Sequence, residues 1–229
     1  MNWLERFELQ GAAREWLKWV GAALMVLDHI NTYALAGAHP WMYALGRLAF
    51  PIFGVVLAYN MATNPTAERI QRSTIRLLVF ALLAQPFSML LRHATAATAQ
   101  WWVLNILFTL AAALLLIGLI ETTRNALALA AGIVGLVFAG AVVEFHWAGL
   151  VFVVASFYLC RLRTRASLLV CAFSLVCLWV ENGVPWAFAA IPVFGLAGAL
   201  HPAAPRARWW TWYAFYPVHL CALWLHLRF

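Results

Sequence analysis

From residue 16 onward the chain is a succession of long apolar runs separated by short polar joints. About 20 mostly apolar residues suffice for a helix to cross a bilayer. Nine runs meet or approach that length, at 16–36, 41–61, 73–91, 101–120, 125–143, 147–160, 166–181, 185–200 and 210–227. The sixth is short and the eighth carries Pro192. Backbone inserted in lipid must satisfy its own hydrogen bonds, so the runs are expected as helices rather than strands. Ahead of them, residues 1–15 place Trp3, Leu4 and Phe7 on one helical face among charges, the pattern of a short helix lying in the membrane interface. The expected architecture is therefore all-α: an interfacial helix over 1–15 and a membrane-embedded helical domain over 16–229.

The polar joints carry a direction. If nine runs cross the membrane, twelve of the 15 Lys and Arg residues fall on one side: Arg6, Arg14, Lys18, Arg69, Arg72, Arg76, Arg124, Arg161, Arg163, Arg165, Arg206 and Arg208. The other side holds only Arg92 and Arg228, and Arg47 lies within the second run. Positive charge accumulates on the inner side of membrane proteins. The split thus predicts an N-terminus inside and a C-terminus outside. Tryptophans near run ends (Trp16, Trp41, Trp101, Trp102, Trp209) suit interfacial anchoring.

Composition agrees and narrows the field. Of 229 residues, 66% are hydrophobic and 10% charged, with mean hydropathy +0.84. Soluble domains carry about 25% charged residues. A net charge of +7 could suggest nucleic acid, but the cations sit between apolar runs and form no continuous basic stripe. Cys160, Cys171, Cys177 and Cys221 lie in or beside apolar runs without metal-ligand spacing, as small apolar filler does, and no metal is expected. Ala36-Gly37-Ala38 resembles a cleavage site, yet the apolar run before it is long, includes Asp28 and His29, and follows Glu5, Glu8 and Glu15. It reads as a retained helix.

Asp28 and His29 are where the chemistry starts. An ionised side chain in mid-membrane costs about 2.5–3.5 kcal/mol on insertion scales, so it needs a partner or a cavity. At about 1.5 Å per residue, His29 falls roughly 10 Å, Arg47 about 9 Å and Asn105 about 6 Å below the outer boundary. Glu144 and His146 sit at the outer turn between the fifth and sixth runs, and His219 lies near the midplane. An Asp28–Arg47 ion pair that merely joins two helices would explain part of this set, but not the histidines and Glu144. Lys18 and His29 are eleven residues apart, close to three full turns, so they share one helical stripe about 16 Å long. A cation at the inner mouth, here Lys18 with Arg72 and Arg76 beside it, suits the phosphates of an anionic cofactor such as coenzyme A. Lys18 is equally a routine boundary residue.

In order along the chain stand LKWVGAALMVLDHI (17–30), GRLAFPIF (46–53), NILFTL (105–110), EFHWAGLVFVV (144–154) and YAFYPVHLCAL (213–223). Together they resemble the TraX family of membrane pilin acetylases from conjugative-plasmid transfer systems. Lys18-x10-His29 is similar to the Arg-x10-His signature of the wider transmembrane acyltransferase group. The resemblance implies transfer of an acetyl group from cytoplasmic acetyl-CoA to the N-terminal amine of a pilin subunit, in the bacterial inner membrane with the C-terminus periplasmic. It carries over onto Asp28, His29, Arg47, Asn105, Tyr216 and His219. Asp28, His29, Arg47, Asn105 and His219 are thus expected as catalytic and Lys18, Arg72, Arg76 and Tyr216 toward acetyl-CoA, while Glu144 and His146 are expected toward the acceptor from their place at the outer turn. The chain departs from the family pattern over 144–149, which leaves His146 outside it. Its length is closer to the TrbP-like branch, whose transfer systems include cyclic pilins that have no free N-terminus to acetylate.

For such a transfer His29 is the expected base, or alternatively a nucleophile that carries the acetyl group. Adjacent helical positions point about 100° apart, so Asp28 is expected to pair with Arg47 rather than with His29. Arg47 and Asn105 are alternative donors to the oxyanion. Two other classes remain open on the residues alone: a proton-coupled transporter, since intramembrane Asp, Arg and His also mark ion paths, and a non-catalytic pilin maturation, cyclisation or assembly factor.

Overall fold

The computed structural model describes residues 9–95, 102–200, 202 and 204–228. Ten α-helices follow in order: α1 (Gly11–His29), α2 (Pro40–Gly46), α3 (Ala49–Ala62), α4 (Ala67–Thr95), α5 (Ile106–Thr122), α6 (Ala126–Val142), α7 (His146–Leu162), α8 (Arg165–Asn182), α9 (Ala190–Leu200) and α10 (Thr211–Arg228). A π-helical turn, Ile30–Ala34, continues α1, and a 3₁₀ turn, Pro185–Ala189, leads into α9. With α2 and α3 taken as one broken rod, nine helical runs stand among the described residues, each at one of the nine expected places. Three of them, Pro40–Ala62, α4 and α8, are long and apolar enough to cross a membrane by length and composition. The chain is an all-helical membrane protein.

The boundaries differ from expectation where local chemistry intervenes. Residues 11–15 form the opening of α1 instead of a separate interfacial helix. Trp3, Leu4, Phe7 and Trp101 lie outside the described residues. The second run breaks at Arg47–Leu48. Pro51 has no N–H for the carbonyl four residues back, and its ring would clash there, so α2 stops at Gly46 and α3 restarts at Ala49. The fourth run begins as extended chain: Leu104 N–H donates to the Val142 carbonyl (2.8 Å), and Glu144 N–H donates to the Leu104 carbonyl (2.9 Å). Arg92, expected in an outer loop, is instead the last turn of α4 and 8% exposed.

Helix α3 packs between α1 and α7, α4 between α5 and α10, and α7 also against α8. Lipid is as apolar as leucine, so helices in membranes associate through close packing and small residues. Here Gly21 of α1 faces Phe53 and Ile52, Gly54 of α3 faces Phe152 and Val153, and Gly149 of α7 faces Thr109 and Phe50. Phe50, Phe152, Phe157, Leu114 and Ile117 fill the centre and are almost wholly buried. By contrast, α6 shows most of its side chains outward, Leu127 and Phe138 among them. The axis α1–α3 and the α4–α10 pair are what frame the polar residues.

Candidate functional site

Asp28 and His29 end α1, and the 100° step between them sends the two side chains to different neighbours. Asp28 faces the break after α2. There Gly46 has no side chain, which lets its backbone lie directly on Asp28: a Cβ at position 46 would fall 2.3 Å from Asp28 Cβ. The interruption imposed by Pro51 puts Arg47 at the same level, and its guanidinium is ion-paired with the Asp28 carboxylate. Arg47 also lies over the Tyr43 ring (4.3 Å) and reaches Asn182 Oδ1 of α8 at 3.5 Å. The expected Asp28–Arg47 pair is thus present. Asp28 Oδ1 and Arg47 Nε are buried and carry no hydrogen bond among the described residues.

His29 turns toward α10. Its Nδ1 stands 2.7 Å from His219 Nε2, and the two rings are nearly parallel, with centroids 5.0 Å apart. His219 Nδ1 in turn lies 2.9 Å from the Phe215 carbonyl oxygen, one turn back on α10. Tyr33, from the π turn, and Tyr216, from α10, flank the His29 ring at 5.5 and 6.2 Å. π-Helical turns occur disproportionately at functional sites, and this one begins at the residue after His29.

A third polar group adjoins them. Arg92 donates to the Val103 carbonyl (3.0 Å) and stands within ion-pair range of Glu144 (3.5 Å), while Arg92 and Glu144 both act electrostatically on Tyr33. Glu144 Oε2 is buried and makes no hydrogen bond among the described residues, so the pair is a matter of charge proximity and not of aligned bonding. Glu144 is held by its backbone, whose carbonyl accepts from Thr109 Oγ1 (2.6 Å). The chain then reverses through Phe145 and His146, both with positive φ (61° and 42°).

Two expected site residues are occupied elsewhere. Asn105 is not inside a helix but caps α5: its Oδ1 accepts from Leu107 N–H (3.1 Å), and its Nδ2 donates to the Ala81 carbonyl and Gln85 Oε1 (both 2.9 Å). It is fully buried, with no amide hydrogen left over for an oxyanion. His146 is bound to Glu181 of α8 (2.6 Å), away from His29.

A cleft of about 800 Å³ lies among α1, α3, α4, α5 and α10. Six cations (Arg14, Lys18, Arg69, Arg72, Arg76, Arg206) line it, with Glu15 and Glu68 the acids opposing them among the described residues. Lys18 is paired with Glu15 and Arg72 with Glu68; the other four have no carboxylate partner among the described residues. Trp209 and Trp212 stand beside Arg76 (4.1 Å) and Lys18 (5.3 Å). Met25, Leu107, Leu110 and Phe215 form an apolar stretch of the same cleft, and Tyr216 also lines it. Lys18, Arg72, Arg76 and Tyr216 therefore share one cleft, which Tyr216 joins to the His29 ring at 6.2 Å. Sequence reasoning missed Tyr33, Arg92, Tyr43 and Asn182. Tyr33 did leave a signal, one turn after His29, but Asn182 left none.

The family described as TraX protein matches residues 13–227. Protein TraX of Escherichia coli is 32% identical over 181 residues, which cover 76% of this chain and 69% of that protein. No solved structure matches. With its motifs in order and a match over nearly the whole chain, this protein belongs to the TraX family.

Proposed function

We propose that this protein is an acetyl-CoA-dependent N-acetyltransferase of the bacterial inner membrane, acting on the N-terminal amine of a conjugative pilin subunit. The observation that carries the reading is the cleft. It has the two-part chemistry of coenzyme A, with excess cations for the phosphates and an apolar stretch for the pantetheine arm. Its lining includes Tyr216, whose ring stands 6.2 Å from that of His29. Its volume of about 800 Å³ lies in the range of small-molecule sites, roughly 300–1,000 Å³. In this reading the cationic stretch faces the cytoplasm, which the cation distribution over the joints supports.

In this mechanism the cationic stretch holds the phosphates while the apolar stretch aligns the thioester and excludes water. The acceptor amine attacks the thioester carbonyl carbon as its proton passes to His29, and the C–S bond breaks. Arg47 is engaged by Asp28, so the hydroxyl of Tyr216 is the donor best placed to meet the developing oxyanion. Glu144 supplies the negative charge that attracts the acceptor in its ammonium form, which releases one proton to water before the neutral amine attacks.

The test is intact-mass analysis of the cognate pilin incubated with the purified protein in vesicles and acetyl-CoA. The expected result is the mass gain of one acetyl group at the N-terminus, abolished by His29→Ala. Full-rate acetylation by His29→Ala refutes the assignment of His29, and loss of one water from the pilin in place of acetylation refutes the reaction itself.

A further inference from the structure

Two hydrogen bonds on α10 and α1 fix which nitrogen of His29 does chemistry. A carbonyl oxygen only accepts, so the His219 Nδ1 that stands 2.9 Å from the Phe215 carbonyl carries hydrogen and donates to it. A neutral imidazole has one N–H, so His219 Nε2 is then a lone pair. The atom 2.7 Å from that lone pair, His29 Nδ1, must be the donor. The opposite assignment would require His219 to bear both protons as an imidazolium. His219 is 9% exposed, and no carboxylate is paired with it among the described residues. A buried unpaired cation is far costlier than a neutral ring.

We propose that His219 is a positioning residue that holds His29 as its Nδ1–H tautomer, leaving Nε2 as the one basic nitrogen for transfer. The inference rests on the acetyltransferase reading for its catalytic consequence, though not for the tautomer itself. His219 does for His29 what a carboxylate does in a hydrolase triad, where it fixes the tautomer and orientation of the base. It does so without a buried negative charge, which this apolar setting would penalise. During transfer the amine nitrogen bonds to the acetyl carbon and the C–S bond breaks. The amine proton moves to His29 Nε2 and then to the departing thiolate sulfur. While His29 carries two protons, its Nδ1–H bond to His219 strengthens, because a charge-assisted hydrogen bond is roughly twice as strong as a neutral one. The charged and titratable groups around the pair are Asp28 on α1, Tyr33 on the π turn, Arg47 between α2 and α3, Arg92 on α4, Glu144 before α7 and Tyr216 on α10.

Two measurements on the full-length protein test this. Histidine-selective ¹⁵N NMR in nanodiscs should show His29 with a protonated Nδ1 and an unprotonated Nε2, a pattern that His219→Leu abolishes. A protonated Nε2 on wild-type His29 overturns the proposal whether or not the protein transfers acetyl groups, so the outcome is separable from failure of the functional reading. In the transfer assay, His219→Leu should lower kcat by about 10²–10⁴-fold at nearly unchanged KM for acetyl-CoA, the scale seen when a base is lost or misoriented. His219→Gln, whose amide oxygen can still accept from Nδ1–H, should recover most of that loss. Equal kcat for His219→Leu and wild type, or no difference between the leucine and glutamine variants, overturns it. If His219→Leu fails to fold, the glutamine variant and the wild-type spectrum still decide.

Discussion

Replacing Gly46 by alanine should destabilise this protein strongly. The added Cβ would meet Asp28 Cβ at 2.3 Å, Cγ at 2.5 Å and Oδ1 at 2.8 Å. Ordinary carbon contacts lie near about 3.5–4.0 Å, so α1 and α2 must part by more than about 1 Å. The atoms in the way belong to a short side chain fixed at its base, so they cannot swing aside. Overpacking of this kind costs about 1–3 kcal/mol. Separation also pulls Asp28 from Arg47, and breaking a buried ion pair costs about 3–5 kcal/mol. Alanine's better helix propensity returns only about 1 kcal/mol, so the net loss is about 3 kcal/mol or more. Gly135→Ala is the matched control, since nothing lies within 4 Å of a Cβ there. Fluorescence-detected melting in detergent should place Gly46→Ala several degrees below wild type and Gly135→Ala at or above it. Equal melting of the two variants would refute the close approach of α2 to Asp28, and with it the reason for glycine beside Arg47.

Two further predictions concern the charges. Arg47→Met should destabilise the protein by about 3–5 kcal/mol because it strands Asp28, whereas adding Asp28→Asn should recover much of that loss, since a buried pair removed together is often close to neutral; a double variant less stable than Arg47→Met alone would contradict the pairing. Replacing Lys18, Arg72 and Arg76 by alanine should each raise KM for acetyl-CoA by a few-fold, the effect of losing one solvent-screened ion pair worth about 0.2–1 kcal/mol. The effect should shrink at high salt, where screening shortens to about 3 Å at 1 M; a fall in kcat at constant KM would place those cations outside the donor site.

The helical runs were legible because membrane insertion imposes a length and an apolarity that few other constraints mimic. The Asp28–Arg47 pair was legible for a related reason, since two opposite charges at one depth have few alternatives to each other. What escaped notice depended on neighbours distant in sequence. Asn105 looks like a polar residue inside an apolar run, and only the 102–104 segment pairing with Val142 and Glu144 turns position 105 into a helix start. Arg92 reads as a loop cation because it closes an apolar run, yet α4 continues to Thr95 and buries it against Val103 and Glu144. His219 was expected near the midplane and His29 in the outer half, and the packing of α10 against the π turn after α1, which residue counting ignores, brings them to 2.7 Å.

The adjacency of Asp28 and His29 follows from these distances. One helix end has two duties here, fixing α1 against α2 and presenting a base to α10. Neighbouring positions diverge by about 100°, which separates the duties in space while keeping them on one rigid element. A spacing of three or four residues would stack the carboxylate and the imidazole on one face. Asp28 would then compete with His219 for His29 Nδ1–H, and Arg47 would lose its carboxylate. Adjacency keeps the carboxylate on Arg47 and leaves His219 as the partner of His29 Nδ1–H. A variant that moves the acid to position 25 or 32 should therefore lose transfer activity, even though it restores an acid to the same helix.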